Sequence, residues 1–103
     1  MFIVNLTYIK PLEEIEKAIK AHSIYLEEQY VKKNFIASGR KIPRDGGIIL
    51  SKMDSKDELE KVLEEDPFKK LNIAKYDIIE FVPSKTSKDF GILKWYYKYK
   101  ILN

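Results

Sequence analysis

A chain of 103 residues and 12.2 kDa has room for one domain, and nineteen basic against sixteen acidic residues leave a net charge of +3. At 45% hydrophobic and 34% charged it reads as an ordinary globular protein, with no apolar run near the ~20 residues of a membrane span. The absence of cysteine excludes disulfides, zinc knuckles, thiol nucleophiles and iron–sulfur clusters; the N-terminus lacks the pattern of a signal peptide, so a cytoplasmic location is expected.

Residues 1–9 alternate as a strand, with Phe2, Val4, Leu6 and Tyr8 on one face and Ile3, Asn5, Thr7 and Ile9 on the other. Pro11 suits the first turn of a helix. Over residues 12–33, Leu12, Ile15, Ile19, His22, Leu26 and Tyr30 recur every three or four positions and fall within roughly 80° on a helical projection. A helix of that length is long for so small a domain, and a break near Ala21-His22-Ser23 is expected. Residues 34–38 read as a second strand and 39–47 as a loop punctuated by Gly39, Pro43 and Gly46-Gly47. A third strand covers 47–53. Ser55-Lys56-Asp57-Glu58 has the form of a capping box, predicting a helix with Leu59, Val62 and Leu63 inward. Asp66-Pro67-Phe68 restarts the chain, and residues 74–82 form a fourth strand. Residues 1–83 make the folded domain; residues 84–103 are a basic, aromatic C-terminal extension.

The order β-α-β-β-α-β is the ferredoxin-like arrangement, an α+β fold with two helices on one face of a four-stranded sheet. The first, third and fourth strands carry apolar residues on both faces, so the uncovered face predicts a homodimer packed sheet on sheet, alone or within a larger assembly.

The chain has no Gly-rich dinucleotide motif, phosphate loop, HExxH, GxSxG or EF-hand loop. One histidine cannot build a multi-histidine metal site, so no metal and no cofactor are expected. His22 lies on the apolar arc of the first helix. It is either a half-buried, hydrogen-bonded histidine or a general acid or base. Asp66 before Pro67 reads as a helix N-cap, or as a carboxylate holding a histidine in one tautomer. Ser23 and Ser38 lack the elbow and oxyanion motifs of serine nucleophiles.

Together these residues resemble the YciI-like (YCII-related) family of dimeric α+β-barrel proteins. The resemblance rests on His22-x-x-Tyr25-Leu26, Phe35-Ile36-Ala37-Ser38-Gly39, Gly46-Gly47-Ile48-Ile49-Leu50, and Asp66-Pro67-Phe68 followed by Tyr76-x-Ile78 and Phe81. It implies a ferredoxin-like protomer, a dimer closed through its sheets, and a cleft with a histidine–aspartate pair at His22 and Asp66. Some members of that family eliminate chloride from chlorinated aromatic compounds. Where the family usually carries proline after the glycine of strand two, this chain has Arg40.

The sequence has 17 Lys and only two Arg, and both arginines, Arg40 and Arg44, fall in one short segment. Arginine grips carboxylate or phosphate with a planar fork, whereas a solvated loop paired with Asp45 needs no ligand. The expected function is cofactor-free proton transfer, an elimination or isomerisation, on a small organic acid or phenol. In that reading His22 is the acid/base and Asp66 its orienting partner, while Arg40, Tyr25, Ser38 and Tyr76 are substrate contacts. The alternative is a non-catalytic small-molecule binding or assembly module. The expected ligand is small and anionic or aromatic. Lys94-Trp95-Tyr96-Tyr97-Lys98-Tyr99-Lys100 interleaves basic and aromatic residues as nucleic-acid binders do, but a packed terminal segment is the preferred reading. Neither nucleic acid nor membrane is an expected partner.

Overall fold

The computed structural model describes residues 1–93; the basic-aromatic stretch at 94–100 lies outside them. Among the described residues, four strands form one antiparallel sheet in the order β2-β3-β1-β4. β1 (Phe2–Tyr8) and β3 (Gly46–Ser51) are central, β2 (Phe35–Arg40) and β4 (Ala74–Glu80) are the edges, and α1 (Leu12–Val31) and α2 (Lys56–Glu64) connect them. A further turn of helix, α3 (Pro67–Lys70), precedes β4. This is the ferredoxin-like α+β fold that the element order predicts. No helix among the described residues is long and apolar enough to cross a membrane.

The alternation in β1 sets the core. Phe2, Val4 and Leu6 are buried beneath the helices with Ile49 of β3, Ile15 and Ala18 of α1, and Leu59 and Leu63 of α2. Ser55 caps α2 as expected, its hydroxyl accepting from the Glu58 N–H at 3.1 Å. The expected break in α1 does not occur: the helix runs unbroken for 20 residues, about 30 Å. Ala21-His22-Ser23 contains no Gly or Pro to interrupt the ladder, and Tyr25 and Gln29 carry the buried face to the far end.

The second hairpin also differs from expectation. Gly39 and Arg40 belong to β2, not to the loop, because they pair with Ile48 and Gly47 of β3. Only residues 41–45 connect the strands. The pairing turns the side chains of Ser38 and Arg40 to the helix-covered side, with Ile49, and Ala37 to the open side, with Leu50. On the open face Ile3 lies between Leu50 and Ile79, and Asn5 lies between Ile48 and Asp77. Lys41 reaches over this face to Asn5 Oδ1 and Thr7 Oγ1, at 3.0 and 3.3 Å. Past β4, Phe90 and Ile92 are exposed.

Candidate functional site

The inner arc of α1 directs His22 toward α3, whose first turn begins at Asp66-Pro67-Phe68. Asp66 is fully buried and receives three hydrogen bonds. The Phe68 N–H reaches Oδ1 at 3.0 Å, His22 Nδ1 reaches Oδ1 at 2.8 Å, and the Tyr76 hydroxyl donates to Oδ2 at 2.6 Å. One carboxylate thus caps α3 and lies within hydrogen-bond distance of the histidine ring. Proline at N1 presets the backbone at no hydrogen-bond cost, since that position's N–H has no helical partner.

The Phe68 ring stacks on the His22 imidazole, 3.9 Å between centroids and 3° from parallel. Ring stacking on one side and the carboxylate at one edge fix the imidazole. An amide and a phenol already donate to Asp66, so the carboxylate acts as acceptor and Nδ1 carries hydrogen. In neutral imidazole that leaves the lone pair on Nε2. His22 also lines a cleft of about 150 Å³ between α1 and the sheet. Its walls include Leu6 of β1, Ile19 and Leu26 of α1, and Ile49 of β3; Ser38 and Arg40 stand at the β2 side.

Of the expected contacts, Ser38 and Arg40 line this cleft and Tyr25 and Tyr76 do not. Tyr25 is buried and donates its hydroxyl to the Val62 carbonyl at 2.8 Å, tying α1 to α2. Tyr76 is on the far side of Asp66. Burial first, then the charge of Asp66, pushes both phenols well above the usual tyrosine range. Both therefore stay neutral donors. Ser38 Oγ lies 2.5 Å from the hydroxyl of Tyr30, and Ser23 is exposed.

The two arginines separate. Arg44 Nη1 is 2.5 Å from Glu16 Oε1, and hydrogen bonding to that carboxylate is the main cause holding its guanidinium above the usual range. Among the described residues no carboxylate pairs with Arg40, which leaves its fork open at the cleft rim. No group of three or more His, Asp or Glu residues among those described is placed to hold a metal.

Sequence reasoning did not single out Phe68 as the ring beneath His22, nor Tyr8 or Tyr30 near the cleft. For Phe68 a signal existed, since the residue two beyond an N-cap shares its turn. Tyr30 meets Ser38 only through the α1–β2 crossing, which no local pattern encodes.

The YCII-related domain family matches residues 1–82 of the chain. The chain is also similar in structure to 5-chloro-2-hydroxyhydroquinone dehydrochlorinase (TftG) of Burkholderia phenoliruptrix, solved in complex with 2,5-dihydroxybenzoquinone. The identity is 21% and the TM-score 0.66, over 86% of this chain and 98% of the dehydrochlorinase chain. Among curated proteins, none matches the chain.

Proposed function

The chain belongs to the YCII-related domain family, and on that premise we propose that it is a small enzyme of cofactor-free proton transfer on a single-ring phenol or organic acid. His22 Nε2 takes or delivers the proton, and Asp66 holds the imidazole in the tautomer that frees Nε2. Arg40 receives an anionic oxygen, with Ser38 beside it. The observation that carries this reading is the buried Asp66 carboxylate, 2.8 Å from Nδ1 of a histidine whose ring lines an open cleft. The volume agrees, since a cavity near 150 Å³ admits a single benzene ring. The structural neighbour was solved with a ligand of that size.

A second reading has its own support. Asp66 caps α3 and Phe68 packs on His22, which is what a pair retained for stability also does; the cleft then only binds. The protein is further proposed to act as a homodimer, closed over the row Leu50–Ile3–Ile79 on the open sheet face.

The probe is 2,5-dihydroxybenzoquinone. At about a hundred times its Kd a native-state ligand stabilises by about 2.7 kcal/mol, which in a domain of this size raises the Tm by at least about 10 °C. In heavy water, proton NMR is expected to show accelerated exchange of the probe's carbon-bound hydrogens, with His22→Asn slowing it about 10²- to 10⁴-fold. Binding without accelerated exchange favours the binding module. No binding of the probe or of small aromatic acids removes both readings.

A further inference from the structure

Polar groups enter the cleft from α1, with His22, and from β2, where Ser38 and Arg40 stand two residues apart on one face, about 7 Å along the strand. β2 is an edge strand and Ser38 is exposed on it, so nothing local chooses among the three staggered positions of its hydroxyl. The choice is made by a residue of another element. Tyr30, in the last turn of α1, packs against the core and brings its hydroxyl to 2.5 Å from Ser38 Oγ.

The two hydroxyls carry two hydrogens, and their mutual bond uses one. Among the described residues no further hydrogen bond engages either side chain, so one hydrogen is left at this end of the cleft. A phenol is a stronger acid than an alcohol and the better donor. Tyr30 therefore donates, and the spare hydrogen is that of Ser38. Beside it is the Arg40 fork, which has only donors and no carboxylate partner among the described residues. Two donors together, one fully charged, reject an amine and suit an anion with more than one oxygen. A phenolate offers a single oxygen. A carboxylate offers two, with about four lone-pair sites, enough for a guanidinium and a hydroxyl at once.

We propose that Ser38 and Arg40 form a carboxylate-binding rim, that Tyr30 is the positioning residue that aims the Ser38 hydroxyl, and that the ligand is a single-ring carboxylic acid. This rests on the reading of the cleft as a site for a small ring. It gives the ligand an orientation: the carboxylate lies at β2, and the ring lies on the apolar wall made by Leu6, Ile19, Leu26 and Ile49. Tyr30 does not touch the ligand in this arrangement and acts only through Ser38.

The test is a proton NMR titration with benzoate, its neutral isostere benzamide, and 2,5-dihydroxybenzoquinone. Benzoate is expected to bind at least about tenfold more tightly than benzamide, and Arg40→Gln is expected to abolish that preference. Ser38→Ala is expected to weaken benzoate binding roughly three- to tenfold. Tyr30→Phe keeps the ring and removes only the hydroxyl. It is expected to weaken benzoate binding about threefold in the parent protein and to have no effect in the Ser38→Ala background, a coupling that a merely structural role for Tyr30 does not produce. Equal losses from Tyr30→Phe in both backgrounds overturn the positioning role. Binding of 2,5-dihydroxybenzoquinone with no preference for benzoate over benzamide overturns the carboxylate rim and leaves the cleft reading standing. A parent protein that binds none of the three overturns both.

Discussion

A carboxylate that is fully buried here serves as helix cap, histidine partner and phenol acceptor at once. Removing it strands three donors. Asp66→Ala is expected to cost about 3–5 kcal/mol, combining a lost N-cap with unpaired His22 and Tyr76 hydrogens, as measured by urea unfolding. Asp66→Asn keeps an acceptor oxygen and is expected to cost less than half of that. Tyr76 and Tyr25 make a separate prediction about alkaline pH. Their folded values are raised above the ordinary tyrosine value of 10.0 by burial and then by Asp66. Below pH 10 both states hold the protons and stability is unaffected. Above it the unfolded chain releases them while the fold retains them, so stability falls by about 1.4 kcal/mol per pH unit for each such tyrosine. Tyr76→Phe is expected to reduce that slope by one tyrosine's share when unfolding free energy is followed from pH 9.5 to 11. An identical slope in the variant contradicts a raised value for Tyr76.

At the scale of elements, the paired glycines that open β3 have different tasks. A Cβ on Gly46 would lie 1.8 Å from the Leu6 carbonyl oxygen and 2.8 Å from its carbon. Both atoms belong to the backbone of the central strand, which cannot move aside. Gly46→Ala is therefore expected to destabilise by about 3 kcal/mol or more, while Gly39→Ala, with nothing within 4 Å of its Cβ, stays within about 0.5 kcal/mol. Thermal melting of the two variants separates these outcomes. Sequence reading marked Gly46-Gly47 as a turn signal; the close approach to β1 shows a steric requirement instead. The same strand pairing drew Gly39 and Arg40 out of the expected loop. For α1 the local rules were sufficient and the length argument misled. Periodicity without a breaker meant a continuous helix, and a 30 Å element can lie across a small sheet because its exposed back, including Ile24 and Val31, faces away from the core.

At the scale of the whole molecule, the described residues leave one sheet face without a covering layer. The face is divided. Leu50, Ile3 and Ile79 form an apolar row at one end, with Ile79 55% exposed, and Lys41 lies over Asn5 and Thr7 at the other. Such a patch on a small domain favours a partner with the same patch, and two-fold packing supplies one. Sedimentation velocity at micromolar concentration is expected to show a dimer. Ile79→Lys, at a site where an isolated protomer has little to lose, is expected to shift it to monomer while leaving the far-ultraviolet circular dichroism unchanged. A monomer in the parent protein removes the sheet-to-sheet arrangement.

Much was decided by local chemistry. Alternation placed Phe2, Val4 and Leu6 inside; i, i+3 and i, i+4 spacing put His22 on the inner arc of its helix; Ser55-x-x-Glu58 and Asp66-Pro67 marked two helix starts. These are properties of a few consecutive residues, and they make element order and fold readable without coordinates. Recognition of the family, carried by several short motifs in order, added the pairing of His22 with Asp66, which are 44 positions apart. Other features were decided only where the chain crosses itself. Arg44 turned to Glu16 while Arg40 stayed open at the cleft. Tyr25 and Tyr76 gave their hydroxyls to protein acceptors, Val62 and Asp66, and Phe68 came to lie under the imidazole. The physical reason is that a polar side chain's partner is set by what packing brings within about 3 Å of it, and for these residues that partner arrives from a different element, along a path that no local periodicity records.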